Sequence, residues 1–167
     1  MKGYCVALFF FVSAALVHAQ DAKIEWTTEL SKMKAPDAPV SGTVKGASFK
    51  ADSAKHAITG AVTLKQGTDV IGDANVILFL KVKKADDLAG KKFEVESTGN
   101  AQTRPHVHIN RRPSPNELPK GEAFIEGYAM RLEFGEKKEG KIPAKIYLCI
   151  SDSGKSVIAG TFTIEAK

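Results

Sequence analysis

The sequence predicts an all-β fold, a mostly antiparallel β-sandwich of about eight strands. Two observations predict it. Apolar and polar residues alternate with period two in segment after segment, clearest in Tyr128–Phe134 (YAMRLEF), where Tyr128, Met130, Leu132 and Phe134 alternate with Ala129, Arg131 and Glu133. Nor does any stretch carry the three-to-four spacing of a long amphipathic helix.

The first nineteen residues read as a cleaved secretory signal, leaving Gln20 as the new N-terminus. Lys2 gives a positive start, Val6–Val12 an apolar run, and Val17-His18-Ala19 the small residues read at a cleavage site. The apolar run is shorter than the roughly 20 residues a membrane span needs. Cys5 precedes that run, so it is poorly placed for lipid attachment. No later segment is apolar enough to span a bilayer. A secreted or periplasmic location is the expectation.

Residues 20–39 form an N-terminal entry segment. Trp26–Leu30 could be a helical turn or a first strand, and Pro36 and Pro39 stop any helix there. Residues 40–167 are expected to fold as one sandwich domain, long enough to bury a core. Gly42–Lys50 reads as a strand with Gly46 at a bulge. In Ala57–Gln66, Ile58, Val62 and Leu64 share a face. Asn75–Lys83 puts Val76, Leu78, Leu80 and Val82 on one face, with Ile77 and Phe79 on a partly apolar second face. That strand is expected to be central or covered. Lys91–Ser97 and Arg104–Arg111 follow. The proline-bearing stretch Arg111–Gly121 reads as an exposed loop. Tyr128–Phe134, Ala144–Ile150 and Val157–Ala166, joined by two short loops, read as an antiparallel meander, with Gly127 marking a bulge or corner.

Composition excludes several functions. The net charge of +5 for the whole chain falls by one when Lys2 leaves with the leader. The lysines are dispersed among acids, which favours solubility and gives no nucleic-acid footprint. With Cys5 lost, Cys149 stands alone, so no internal disulfide forms; its place in KIYLCIS predicts a buried structural thiol. No nucleophile elbow, phosphate loop or His-Glu-x-x-His motif occurs.

Chemistry concentrates in RPHVHIN, residues 104–110. On a strand, His106 and His108 project from one face and Val107 from the other. Two imidazoles so placed can turn toward one ion, which makes zinc or copper the candidate cofactor, with His56 or an acidic residue as third ligand. Met130 and Cys149 are soft alternatives. The competing reading is a pair of surface histidines among Arg104, Asn110, Arg111 and Arg112. Those arginines disfavour a cation and would favour an anionic ligand. The His-Val-His spelling also occurs in copper–zinc superoxide dismutases. That assignment fails, because the family needs more histidines and a structural disulfide. A blue-copper site fails too, for want of a histidine or methionine spaced after Cys149. Glu117, Glu122, Glu126 and Glu133 lie downstream and could join a histidine in acid–base work, so a hydrolase is a distant alternative. For glycan stacking the candidate aromatics are Trp26, Tyr128 and Tyr147, with Tyr147 placed to be exposed and Tyr128 in the core.

The run GYAMRLEFGEKKEGKIPAKIYLCISDSGKSVIAGTFTIEA (residues 127–166), with PDAPVSGTVKGASF (36–49), TLKQG (63–67) and PHVHI, resembles a family of uncharacterised exported bacterial proteins found in Planctomycetes and Verrucomicrobia-like bacteria. The resemblance covers nearly the whole mature chain. It implies an extracytoplasmic β-sandwich module and no particular activity or site residue. The leading functional expectation is therefore a non-enzymatic binding or interaction module of the cell envelope, with an envelope protein or a glycan as partner. The alternative is a metal-binding protein built on His106, His108 and His56.

Overall fold

The computed structural model describes residues 24–99 and 102–166. The leader lies outside the described residues. Among the described residues there are eleven strands, more than the eight or so expected: β1 (Ser41–Val44), β2 (Ala47–Lys50), β3 (Ser53–His56), β4 (Ala61–Gln66), β5 (Ala74–Phe79), β6 (Lys92–Val95), β7 (His106–Arg111), β8 (Lys120–Phe124), β9 (Tyr128–Phe134), β10 (Lys141–Ile150) and β11 (Val157–Glu165). They form two antiparallel sheets, a six-stranded one ordered β2-β1-β11-β10-β9-β6 and a five-stranded one ordered β3-β4-β5-β7-β8. Among the described residues no helix is long and apolar enough to cross a membrane. The all-β sandwich and the meander β9-β10-β11 are as the sequence predicts.

Period two builds the interior. Across the six-stranded sheet one inward rung runs Phe49, Gly42, Ile158, Leu148, Met130 and Val95. Across the five-stranded sheet the matching inward rungs are Ala54–Leu64–Val76–Ile109 and His56–Val62–Leu78–Val107–Phe124. Val62, Leu64, Val76, Leu78, Val107, Ile109, Met130 and Ile146 are all fully buried between the sheets. At roughly 1.5–3 kcal/mol per fully buried side chain, this inner layer is the main source of stability. Gly42 is required in its rung: its φ is +146°, and a Cβ there would lie 2.0 Å from the Val157 carbonyl oxygen.

Three local predictions need correction. Gly42–Lys50 is a hairpin, since Val44 pairs with Ala47 and the chain reverses at Lys45-Gly46. Both turn residues have positive φ, 53° and 75°, the geometry of a two-residue type I′ turn whose twist matches its strands. Ile58 does not share the inward face of Val62 and Leu64; it sits in the turn before β4 and is 87% exposed. The irregular stretch after Arg111 is shorter than expected, because β8 begins at Lys120 and adds an edge strand.

The outer faces of the two sheets differ. On the six-stranded sheet the outward residues Ala129, Tyr147, Cys149, Val157 and Ala159 form a second buried cluster with Met33, against which Ile24, Trp26 and Leu30 pack. The N-terminal segment therefore straps this face, turning through a 3-10 helix at Leu30–Lys32. Trp26 Nε1 donates to the Ile150 carbonyl (3.1 Å), and the Thr27 N–H donates to Cys149 Sγ (3.3 Å). The Tyr147 hydroxyl donates to the Glu25 carbonyl. The strap does not reach the face that bears Ile77 and Phe79. That face belongs to the other sheet.

Candidate functional site

Three outward rungs cross the five-stranded sheet. The first is Ser53–Lys65–Asn75–Asn110–Gly121, the second Lys55–Thr63–Ile77–His108–Ala123, and the third Ala61–Phe79–His106. His106 and His108 thus lie on one face, as their spacing predicts, and β5 and β7 at the middle of the sheet hold them. Val107 points inward and is fully buried, which anchors the strand from behind. His108 stands beside Phe79, with ring centroids 4.6 Å apart and a tilt of 53°. Ile77, Phe79, His106 and His108 are all half-buried. Among the described residues neither imidazole hydrogen-bonds to a protein group, so their nitrogens are left to solvent or to a ligand.

His56 is not part of this group. Its rung neighbour is Val62, an inward residue, so its side chain starts on the opposite face of the sheet. Its Nε2 lies 2.6 Å from the Val82 carbonyl, a backbone contact that fixes the ring. The metal set of His106, His108 and His56 is therefore not assembled. Among the described residues no group of three or more His, Cys, Asp or Glu side chains is placed to hold a metal ion. Two imidazoles flanked by Phe79 and Ile77 do not make a zinc or copper donor set of the usual count.

The acid–base alternative meets the same geometry. Glu122 is opposite Ile109, on the inward side of β8, and its carboxylate pairs with Lys45 at 2.6 Å. Glu133 pairs with Lys92 and Glu117 with Lys120. No carboxylate stands on the three outward rungs. The flanking arginines also leave the face. Arg104 is buried with its guanidinium 5.8 Å from the Tyr128 ring centre, Arg111 donates to the Ser48 carbonyl, and Arg112 pairs with Asp69.

The aromatic candidates have structural work. Tyr128 is fully buried, as expected, and donates to the Pro105 carbonyl. Tyr147 does face away from Ile146 and Leu148, but the strap covers it. Trp26 holds the strap down. Burial pushes the Tyr128 hydroxyl up to about 12, and burial first, then the neighbouring Cys149 and Glu25, does the same to Tyr147. Burial likewise raises the Cys149 thiol to about 11, partly offset by the Thr27 N–H it accepts. Cys149 is buried, as predicted. The aromatic on the uncovered face is Phe79. Its signal in the sequence was the partly apolar second face of its strand.

A cavity of about 80 Å³ lies beside the strap, lined by Met33, Ala35, Arg131, Glu133, Lys145 and Tyr147. It has room for a few waters and falls well below the roughly 300 Å³ of a small-molecule pocket. No family model, curated protein or solved structure matches the chain.

Proposed function

We propose that the protein is an exported binding module of the bacterial cell envelope that uses the outer face of its five-stranded sheet. One observation carries this reading. Among the described residues the N-terminal segment covers the outer face of the six-stranded sheet, and no segment covers that of the five-stranded one, where Ile77, the Phe79–His108 ring pair and His106 lie half-buried. Exposed aromatic and apolar groups rimmed by polar ones mark interaction sites. The leader-like N-terminus and the resemblance to exported bacterial modules support the location.

The test is co-sedimentation of the mature chain with isolated cell-envelope material. Wild type is compared with an Ile77→Glu/Phe79→Glu variant, and with Ile58→Glu and Leu118→Glu controls. The reading expects retention to fall tenfold or more for the face variant and to be unchanged in the controls. Equal retention of all four, with matched unfolding curves, would remove the face from the account.

A further inference from the structure

We propose that the open face takes an acidic polysaccharide, a chain of sugar rings bearing carboxylate or sulfate groups. This rests on the reading of that face as the binding site, and it adds the chemistry of the ligand.

Charge is the first argument. The three outward rungs carry Lys55, Lys65 and two imidazoles, and no carboxylate. Acids stand beyond the first rung at the β4–β5 loop end, where Asp52 accepts the Gly67 N–H at 2.7 Å and the Asp69 carboxylate pairs with Arg112 at 3.7 Å. On the strapped face most cations stand beside a carboxylate: Arg131 pairs with Glu94 at 3.0 Å, Lys92 with Glu133 at 3.6 Å and Lys145 with Asp37, and Lys141 lies opposite Glu165, while Lys50 on the edge strand has no ion pair among the described residues. Among the described residues Lys55 has no ion-pair partner, and the Lys65 ammonium bonds only the Asp69 backbone carbonyl. A face that carries cations and no carboxylate on its rungs, beside one where the two signs are mixed, selects an anion.

Chemistry and shape supply the second argument. The tilted Phe79 and His108 rings give a sugar ring an apolar platform. Either imidazole offers at least one N–H donor in each of its protonation states, so a hydroxyl, carboxylate or sulfate oxygen can be met beside that platform. The face is flat. From Lys55 to Ala123 the second rung crosses four strand spacings, about 19 Å. An extended polymer laid across the strands reaches the lysines, Thr63 and the histidines together, which a single sugar cannot do.

Size argues against a protein. Five strands of about six residues give a surface of roughly 400 Å², half of what one partner contributes to a stable protein interface. A second copy of the chain would also bring one carboxylate-free cationic face against another.

Affinity gel electrophoresis of the mature chain tests the inference, with polygalacturonate as the carboxylate probe, dextran sulfate as the sulfate probe and neutral dextran as the blank. At least one polyanion should retard wild type at low salt, and neutral dextran should not. Lys55→Ala/Lys65→Ala and Phe79→Ala should each weaken the retardation about tenfold, while the charge-matched Lys138→Ala/Lys141→Ala variant should behave as wild type. Which polyanion acts tells carboxylate from sulfate. Absence of retardation by either polyanion overturns the inference, as does equal weakening by the two lysine pairs, which is what non-specific attraction to a basic chain would give. If envelope retention still depends on Ile77 and Phe79 while both polyanions are ignored, the face remains the binding site and the polysaccharide falls.

Discussion

The two outer faces of this sandwich start from the same period-two logic and end differently. On β9, β10 and β11 the outward residues Ala129, Cys149, Tyr147 and Ala159 are small or apolar, and the chain spends its own N-terminal segment covering them. On β4, β5 and β7 the outward residues Thr63, Ile77, Phe79, His106 and His108 are mixed, and no described segment covers them. A face that must be dry is roofed and its polar atoms are paired, down to the Cys149 sulfur. Among the described residues the open face carries imidazoles with no hydrogen-bond partner and a lysine, Lys55, with no carboxylate on its rung. The difference separates residues that hold the fold from residues free to meet something else.

Breaking the strap should have the largest effect. Trp26→Ala removes the ring packed on the outer cluster and its bond to Ile150, and should cost about 3 kcal/mol of stability in urea unfolding. The same variant should let a thiol reagent reach Cys149, which is fully buried in wild type. Fast labelling of the wild-type thiol would mean that the strap does not close the face. Truncating Met33, buried beneath the same segment, to Ala should cost about 2 kcal/mol.

Alkali should then find the strapped face and spare the open one. The Cys149 thiol is raised from 9.0 to about 11 and the Tyr147 hydroxyl from 10.0 to about 12. Both groups stay neutral in the fold at a pH where the unfolded chain ionises them. Their contribution is full below about pH 9 and is lost as pH rises through about 11 to 12. Urea midpoints at pH 8 and pH 11 measure the loss, and Cys149→Ala should reduce it. An unchanged loss in that variant would place its origin elsewhere.

The smallest stability effects belong to the open face. Phe79→Ala and His108→Ala should each cost about 1.5 kcal/mol or less, below the strap truncations, since both side chains are only half-buried. Calorimetric titration with zinc or copper should show no stoichiometric micromolar binding, because among the described residues no third ligand joins the pair. Tight binding lost in His106→Ala/His108→Ala would reverse that.

Much of the sandwich was legible in the sequence because alternation is local. Tyr128–Phe134 and the turns around it announce a meander on their own. The Lys45-Gly46 reversal was not legible, because lysine is not a usual first residue of a type I′ turn and nothing local demands the turn. The strap was equally hidden. Trp26, Thr27 and Met33 show no period, and their meaning lies in partners about a hundred residues or more away. For the site, the spacing of His106 and His108 gave their shared face. It could not give the strand beside them. The Phe79–His108 contact and the turning away of His56 are both consequences of strand order, which alternation does not encode.

Hydroxyl-radical footprinting of the mature chain, free and mixed with isolated envelope material, tests the central claim most directly. The account predicts protection at Phe79, His106 and His108, with the exposed loop residues Val70 and Leu118 and the strap residue Trp26 unchanged. Protection at Trp26 or at Val70 and Leu118, with Phe79 and the two histidines unaltered, would contradict it.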